Sequence, residues 1–533
     1  VRYIIAISGP VAVGKSALAG ELVARFNAHK ISTRAFIVAA GTREERFDLI
    51  EAGKKLDIDT EGAWVRDGVL DYIKLHGAHA ILLIDSVRTR EQIEHLRAEF
   101  GDKFVHVHVT APYDIVKARY EKRGSVADTG MQYDEVRSDS TESGVWLLDR
   151  IADRVVENRN CEPPSLLAKA VAGLGLFPPS AAPLVDVVVS GQYGSEGKGH
   201  VCAHLAGGYG VLLRVGGPNA GHNVAHPKYN YRQLPSGTQT NTGAKILIAA
   251  GSTILPEQML KEIRDCDIGP DRLVIDEQAM VIEDWDKQFE GEDGGLGTIG
   301  STKQGAGAAL ARKILNRGAK PMLGPAVRLA KDHPDLKPFV GSVQRELEDA
   351  YAADTRVMIE GTQGTGLSLH HGYYPNVTAR ETTASGCLAD AGVAPGRVRK
   401  VVMVVRRYPI RVGGESGRMG IETDFETISD RSGVPLNEIK EIEVGSVSGN
   451  QRRIAEFDWE QLRRSAVING ATDIALSFSD YIDIANRDAR RFEQLTAETH
   501  AFIAEVERVS DTPVSLISTR FHRFGIIDRR NWR

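Results

Sequence analysis

Twice in this 533-residue chain a short apolar run passes directly into a glycine-rich loop carrying a lysine. The first is Tyr3 to Ile7, followed by Gly9-Pro-Val-Ala-Val-Gly14-Lys15-Ser16. The second is Val185 to Val189, followed by Gly191-Gln-Tyr-Gly194-Ser195-Glu196-Gly197-Lys198-Gly199-His200. A buried strand that opens through glycines onto a helix is a unit of parallel α/β architecture, and the helix start offers unpaired backbone N–H groups to an anion. Two such units so far apart predict two sheets, each with its own phosphate site. The expected fold class is α/β throughout.

Residues 1–160 alternate short apolar runs with helical patterns, with further strands expected at Ala80 to Ile84 and Phe104 to Val109. Prolines and small residues at Cys161-Glu-Pro-Pro and Phe177-Pro-Pro-Ser-Ala-Ala-Pro183 interrupt both patterns. The predicted organisation is a first domain at 1–160, a linker at 161–183 and a second domain at 184–533. No fixed-period repeat is present, and the two glycine loops differ too much to argue for duplication. A hydrophobic content of 42% and a formal net charge of -5 describe a globular chain without the basic excess of an electrostatic nucleic-acid binder. The four cysteines, Cys161, Cys202, Cys266 and Cys387, lack metal-ligand spacing and are expected as free thiols in a reducing compartment. No apolar run is long enough to span a membrane, so a cytoplasmic protein is expected.

Gly9 to Ser16 has the Walker A spacing between a strand and a helical pattern, the context that the motif requires. Backbone amides from Gly9 to Gly14 would cradle phosphates, Lys15 would neutralise them, and the Ser16 hydroxyl would bind Mg2+. Asp85, at the end of its strand, is a candidate to hold the same magnesium or polarise an acceptor; capping the next helix is its alternative use. Together with Ile84-Asp-Ser-Val-Arg88, Lys117-Ala-Arg119-Tyr-Glu-Lys-Arg123 and Ala152-Asp-Arg-Val-Val-Glu-Asn158, this half resembles small nucleoside monophosphate kinases of the dephospho-coenzyme A kinase and archaeal adenylate-kinase-like group. The resemblance implies a P-loop kinase-like parallel sheet in which Arg88, Arg119 and Arg123 clamp a transferring phosphoryl group. A solvated helix face accounts for Arg119 and Arg123 as well.

In the second half, Gly216-Gly-Pro-Asn219-Ala-Gly221-His222 sets a histidine on a second glycine turn, close in sequence to the Lys198 loop. A phosphate-binding lysine with a histidine suited to an oxygen that becomes charged suggests phosphoryl transfer to a small-molecule carbonyl. Further motifs follow in order: Ile299-Gly-Ser-Thr302-Lys-Gln-Gly-Ala-Gly307, Glu360-Gly-Thr-Gln363-Gly-Thr, His371-Gly-Tyr-Tyr-Pro-Asn-Val-Thr378, Tyr408-Pro-Ile-Arg-Val-Gly413, Arg452-Arg453, Ser477-Phe-Ser-Asp480 and Pro513-Val-Ser-Leu-Ile-Ser-Thr519. In order and spacing they resemble adenylosuccinate synthetase. That family joins L-aspartate to the six-position of a purine nucleotide after phosphorylating the ring oxygen with a nucleoside triphosphate. The resemblance implies an adenylosuccinate synthetase-like α/β domain in which His222 donates to that oxygen. Lys198 with Gly194, Glu196, Gly197 and Gly199 form the phosphate loop, and Asn219 and Gly221 belong to the substrate turn, Gly221 also to the magnesium. Gln363 and Thr378 hold the nucleotide substrate, and Thr302 faces its phosphate. It further implies a homodimer, because one arginine crosses between subunits; its place falls at Asn316, with Arg317 adjacent.

Three departures bear on substrate. Ser195 stands where the family loop has an Asp that acts as ring base and magnesium ligand, and a neutral hydroxyl is poor at both. Phage 2-aminoadenylosuccinate synthetases, which act on deoxyguanylate, resemble this chain in that serine; a small neutral side chain admits a guanine amino group. Asn450 replaces the first arginine of the aspartate loop, leaving Arg452 and Ser448 for the dicarboxylate. Phe478-Ser-Asp480 and Arg520-Phe521 replace the guanine-reading contacts for the triphosphate, so ATP or dATP stands beside GTP as donor, with Asp480 still able to accept from guanine. The favoured reading is a ligase acting on dGMP or GMP, fused to a kinase-like domain. The alternatives are an ordinary synthetase using IMP and GTP, with water or Glu196 covering for the missing Asp, and an inactive nucleotide-binding regulator.

Overall fold

The computed structural model describes residues 2–39, 46–77, 79–122, 132–138, 140–178, 182–293, 299–445 and 451–532. The chain divides into two compact units, Val1–Phe177 and Pro178–Arg533. In the first, five parallel strands lie in the order His29–Ser32, Ile81–Asp85, Tyr3–Ser8, Phe104–Thr110 and Arg154–Glu157. Tyr3–Ser8 is central and Ile4, Ile5, Ala6 and Ile7 are all buried. Burial on both faces is why the strand reads as an unbroken apolar run instead of an alternating one. The helix Lys15–Phe26 follows the loop, buries Leu18, Ala19 and Leu22, and ends at Asn27 in the left-handed region.

Pro163–Val171, within the segment expected as linker, is a helix belonging to the first unit. Proline is compatible with a helix's first turn, where its missing N–H has no partner in any case. Leu166, Leu167, Ala170 and Val171 share a core with Leu18, Leu22 and Val107.

The second unit is built on a ten-stranded sheet. Its order is Val340–Gly341, Leu273–Asp276, Lys245–Ile248, Val211–Arg214, Val357–Glu360, Val185–Ser190, Val398–Arg406, Asp473–Ser477, Val514–Ser518 and Ile526–Asp528. Every pairing is parallel except the last. The six residues Val185–Ser190 are buried, and each buried valine is worth about 1.5–3 kcal/mol relative to exposure. Ser190, Arg214, Glu360, Arg406 and Ser477 each end a parallel strand. Their following loops therefore emerge at the same edge, where open α/β sheets bind ligands. Among the described residues no helix is long and apolar enough to cross a membrane.

Candidate functional site

The loop after Val185–Ser190 turns inward around its own side chains. Lys198, the first residue of the helix Lys198–Leu205, is 2% exposed. Its Nζ donates to Ser190 Oγ at 2.6 Å and to the carbonyl of Gln363 at 2.6 Å. Burial lowers its pKa, against an opposing pull from Glu196. Gly194 touches the same partner: a Cβ there would lie 2.9 Å from Gln363 Cα. Gln363 has a φ of 52° and a buried Oε1 with no protein partner, so it presents an acceptor beside the lysine. Glu196 is fully buried, and its Oε1 accepts the N–H groups of Tyr193 at 2.6 Å and Gly194 at 2.9 Å. It shapes its own loop. Ser195 is half-buried, and its carbonyl accepts from Arg406 Nη1 at 3.0 Å.

Beside this loop, His222 begins the strand His222–Ala225 and is buried. Gly199 makes that approach possible, because a Cβ there would lie 2.8 Å from His222 Cβ and 3.0 Å from Ser236 Oγ. Glu360 is the cross-strand register partner of Arg214. Its carboxylate accepts from Arg214 Nη1 at 2.6 Å, from Ser236 N at 2.7 Å, from Ser236 Oγ at 2.5 Å, and from His222 Nδ1. Burial pushes the Glu360 carboxyl up, but Arg214 first, then His222 and Ser236, outweigh it and leave the carboxyl lowered to about 2. An ionised carboxylate only accepts, so His222 Nδ1 carries the hydrogen, and Arg214 Nη1, 2.8 Å from the same nitrogen, is then a close contact and not a second hydrogen bond. Burial, reinforced by Arg214 and opposed by Glu360, lowers the His222 pKa to about 3. Its Nε2 is buried without a protein partner. Glu360, Arg214 and Ser236 have no role in the sequence reading; the available signal was a carboxylate ending an apolar strand, the same signal that singled out Asp85.

The turn holding Asn219 and Gly221 is tied to the segment of Thr302 through Arg232, which donates to Pro218 O at 2.9 Å and to Gln304 Oε1 at 2.5 Å. Gln304 in turn donates to Thr302 O at 3.1 Å. Thr378 is half-buried, its N–H bonded to Leu367 O at 2.8 Å. Asn316 is locked by its amide to the backbone of Met322, Leu323 and Pro325, whereas Arg317 is exposed. Asp480 is 4% exposed; its Oδ2 accepts from Arg487 Nε at 3.1 Å and its Oδ1 has no partner. Burial, moderated by Arg487, raises its pKa to about 6. Phe478 lies 4.0 Å from the Arg406 guanidinium carbon, so one ring face is already covered. Arg452 pairs with Glu443. Ser448 and Asn450 lie outside the described residues.

In the first unit, Lys15 Nζ donates to the carbonyls of Gly9 and Pro10 at 2.6 and 2.8 Å, and Gly14 precedes the helix that carries Ser16. Asp85 is not a cap, since Thr89 caps the next helix. It pairs with Lys30 at 2.6 Å. Arg88 pairs with Glu142 at 2.6 Å and Arg119 donates to Asn158 O at 3.1 Å. Arg123 lies outside the described residues.

The family model for adenylosuccinate synthetase matches residues 187–323 and 326–487. The chain belongs to the adenylosuccinate synthetase family. The adenylosuccinate synthetase of Pyrococcus horikoshii is 38% identical over 354 residues, covering 65% of this chain and 98% of its own. Among solved structures, the succinoaminodeoxyadenylate synthetase of cyanophage S-2L, bound to dGMP and to dATP as an energy donor, matches at 26% identity with a TM-score of 0.53, over 66% of this chain and 96% of that one. The fully ligated adenylosuccinate synthetase from Plasmodium falciparum matches at 20% identity with a TM-score of 0.55, over 65% of this chain and all of that one; at that identity the likeness is one of fold. The loops of Lys198, His222 and Gln363 described above all fall inside the family match.

Proposed function

We propose that the second unit joins L-aspartate to position 6 of a 6-oxopurine nucleotide, with dGMP or GMP favoured as acceptor. In this reading the ring N1–H gives its proton to water as the ring oxygen attacks the terminal phosphorus of a nucleoside triphosphate, forming an O–P bond as the nucleoside diphosphate leaves. The aspartate amine then bonds to C6 as inorganic phosphate departs. Lys198 and the N–H groups at Gly197 and Gly199 hold phosphates, the Gly194 N–H being taken by Glu196. His222 Nε2 is the bare nitrogen of a ring held neutral by burial. In this reading it gains a proton as the anionic phosphates bind beside it and then donates to the reacting oxygen, with Glu360 beneath to balance the imidazolium. Gln363, Asn219, Thr378 and Thr302 hold the acceptor, Arg452 and Ser448 the aspartate, and Asp480 the donor base.

The observation that carries the guanine preference is the pair Ser195 and Glu196. A neutral hydroxyl stands at the family's aspartate position, and the neighbouring Glu196 is fixed to its own loop through Oε1, its Oε2 buried without a protein partner and left for the IMP reading to use as the base. The cyanophage enzyme bound to dGMP and dATP supports the same choice. A second reading, IMP with GTP, is favoured by the higher identity to the archaeal adenylosuccinate synthetase.

Magnesium fits this site as a partner of phosphates. Among the described residues no three His, Cys, Asp or Glu side chains could hold a metal by themselves, whereas the Gly221 carbonyl offers the hard oxygen that Mg2+ prefers. When bound it neutralises phosphate charge. In this reading the protein is a homodimer, and Arg317, exposed and adjacent to the family's subunit-crossing position at Asn316, is the arginine that reaches the second copy. The first unit is read as a P-loop kinase-like phosphotransferase in which Lys15 binds phosphates and Ser16 and Asp85 hold Mg2+.

The test is phosphate release with aspartate, magnesium and GTP, ATP or dATP, comparing IMP, GMP and dGMP and recording product masses, with Lys15→Ala protein alongside to subtract the first unit. A succinylated guanine nucleotide supports the leading reading, adenylosuccinate the second; no adduct with any acceptor overturns both.

A further inference from the structure

One buried guanidinium touches loops assigned above to two different ligands and a carboxylate that reaches the residue assigned to a third. Arg406 ends its strand as the register partner of Ser477, so it lies beside the turn into Phe478. It is fully buried. Its Nη1 donates to the carbonyl of Ser195, on the acceptor loop, at 3.0 Å. Its guanidinium covers Phe478, on the donor-base loop. Its Nη2 donates to Glu443 Oε1 at 2.5 Å. Gln192 clasps the backbone of the same residue in both directions, each bond 3.0 Å.

Glu443, also fully buried, turns its other oxygen to Arg452 Nη1 at 3.1 Å. Its main-chain carbonyl accepts Arg452 N at 3.1 Å and Gln451 Nε2 at 2.8 Å. One carboxylate thus bridges two guanidiniums, leaving a net positive charge across the three groups. Glu443 occupies one side-chain donor of Arg452, and a guanidinium fork has five. Arg452 keeps its side chain 16% exposed.

We propose that Glu443 and Arg406 are positioning residues of the ligase, which hold Arg452 ready for the aspartate carboxylate and tie it to the acceptor and donor-base loops. This rests on the ligase reading above. A long arginine free to rotate must be ordered when the dicarboxylate arrives, whereas one already gripped at a single N–H and at its main chain loses less freedom. Aspartate affinity is therefore the quantity that Glu443 governs.

The experiment is steady-state kinetics of Glu443→Gln and Glu443→Asp, varying aspartate, purine nucleotide and triphosphate separately, with thermal melting of each variant. Glu443→Gln removes the charge that grips Arg452, and the aspartate KM is expected to rise about tenfold, the equivalent of one charged hydrogen bond. The purine nucleotide KM should stay within about twofold, and Glu443→Asp, charged but one methylene shorter, should fall between. A folded Glu443→Gln with unchanged aspartate KM overturns the inference, as does an equal rise in all three KM values. If Glu443→Gln does not fold, Glu443→Asp decides, and an unchanged aspartate KM there overturns it. Wild-type protein that forms no aspartate adduct overturns the ligase reading itself, and the inference with it.

Discussion

Glu360 accepts the Nδ1–H of His222, at the end of the strand next to the one that carries Arg214. The carboxylate thereby sets which imidazole nitrogen carries hydrogen and which way Nε2 points. An amide in its place accepts more weakly and carries no charge to balance an imidazolium. Glu360→Gln is expected to lower kcat about 100-fold or more with KM values changed little, as loss of a histidine's orienting carboxylate does elsewhere. Steady-state rates check this; a kcat within threefold of wild type would remove the role of Glu360.

Gly199 has no room for a methyl group beside His222 and Ser236. Gly199→Ala is expected to cost about 1–3 kcal/mol through overpacking and to displace His222 from Glu360. Thermal melting and kcat should both fall. A variant with normal melting and normal rate would show that the helix start shifts freely.

Ser195 is expected to set the acceptor base. Ser195→Asp places a carboxylate on the half-buried loop, returning a base for the hypoxanthine ring proton and crowding a guanine amino group. The ratio of kcat/KM for IMP over GMP should rise by tenfold or more, roughly the 1–3 kcal/mol of a single pocket contact. Competition between the two nucleotides, read by product mass, measures it directly.

Asp480 carries a pH signature. Its pKa in the folded chain, about 6, lies above the unfolded value. The stability it contributes is therefore fully present below about pH 4 and is lost as pH rises through about 6. At pH 7 the ionised, buried side chain disfavours the folded state by up to about 3 kcal/mol, two units of pKa at 1.36 kcal/mol each. Asp480→Asn lacks this ionisation. Its melting temperature relative to wild type should improve from pH 4 to pH 7, and a constant difference across that range would place the titration elsewhere.

The two strand, glycine loop and helix units were legible in the residues, and the first unit shows why. Tyr3–Ser8 is buried on both faces, so its apolar run is continuous, and the loop after it needs glycines whatever surrounds it. Pro163–Val171 was less legible, because a proline that opens a helix and one that breaks a chain look alike until Leu166 and Leu167 find a core. Lys198 and His222 were recognisable from their loops. Glu443 was not, since nothing near it in sequence announces two guanidiniums.

Local patterns alone were enough to specify both strand, glycine loop and helix units and membership of the adenylosuccinate synthetase family, because backbone geometry and glycine freedom act over a few residues. The carboxylate beneath His222 and the bridge from Arg406 through Glu443 to Arg452 were decided only by the folded sheet. The ion pair of Arg214 and Glu360 joins residues 146 positions apart, and the bond from Arg406 to Ser195 spans 211. Such contacts exist only when strand register brings the chain ends of separate βα units to one edge, and register is set by packing of the whole sheet.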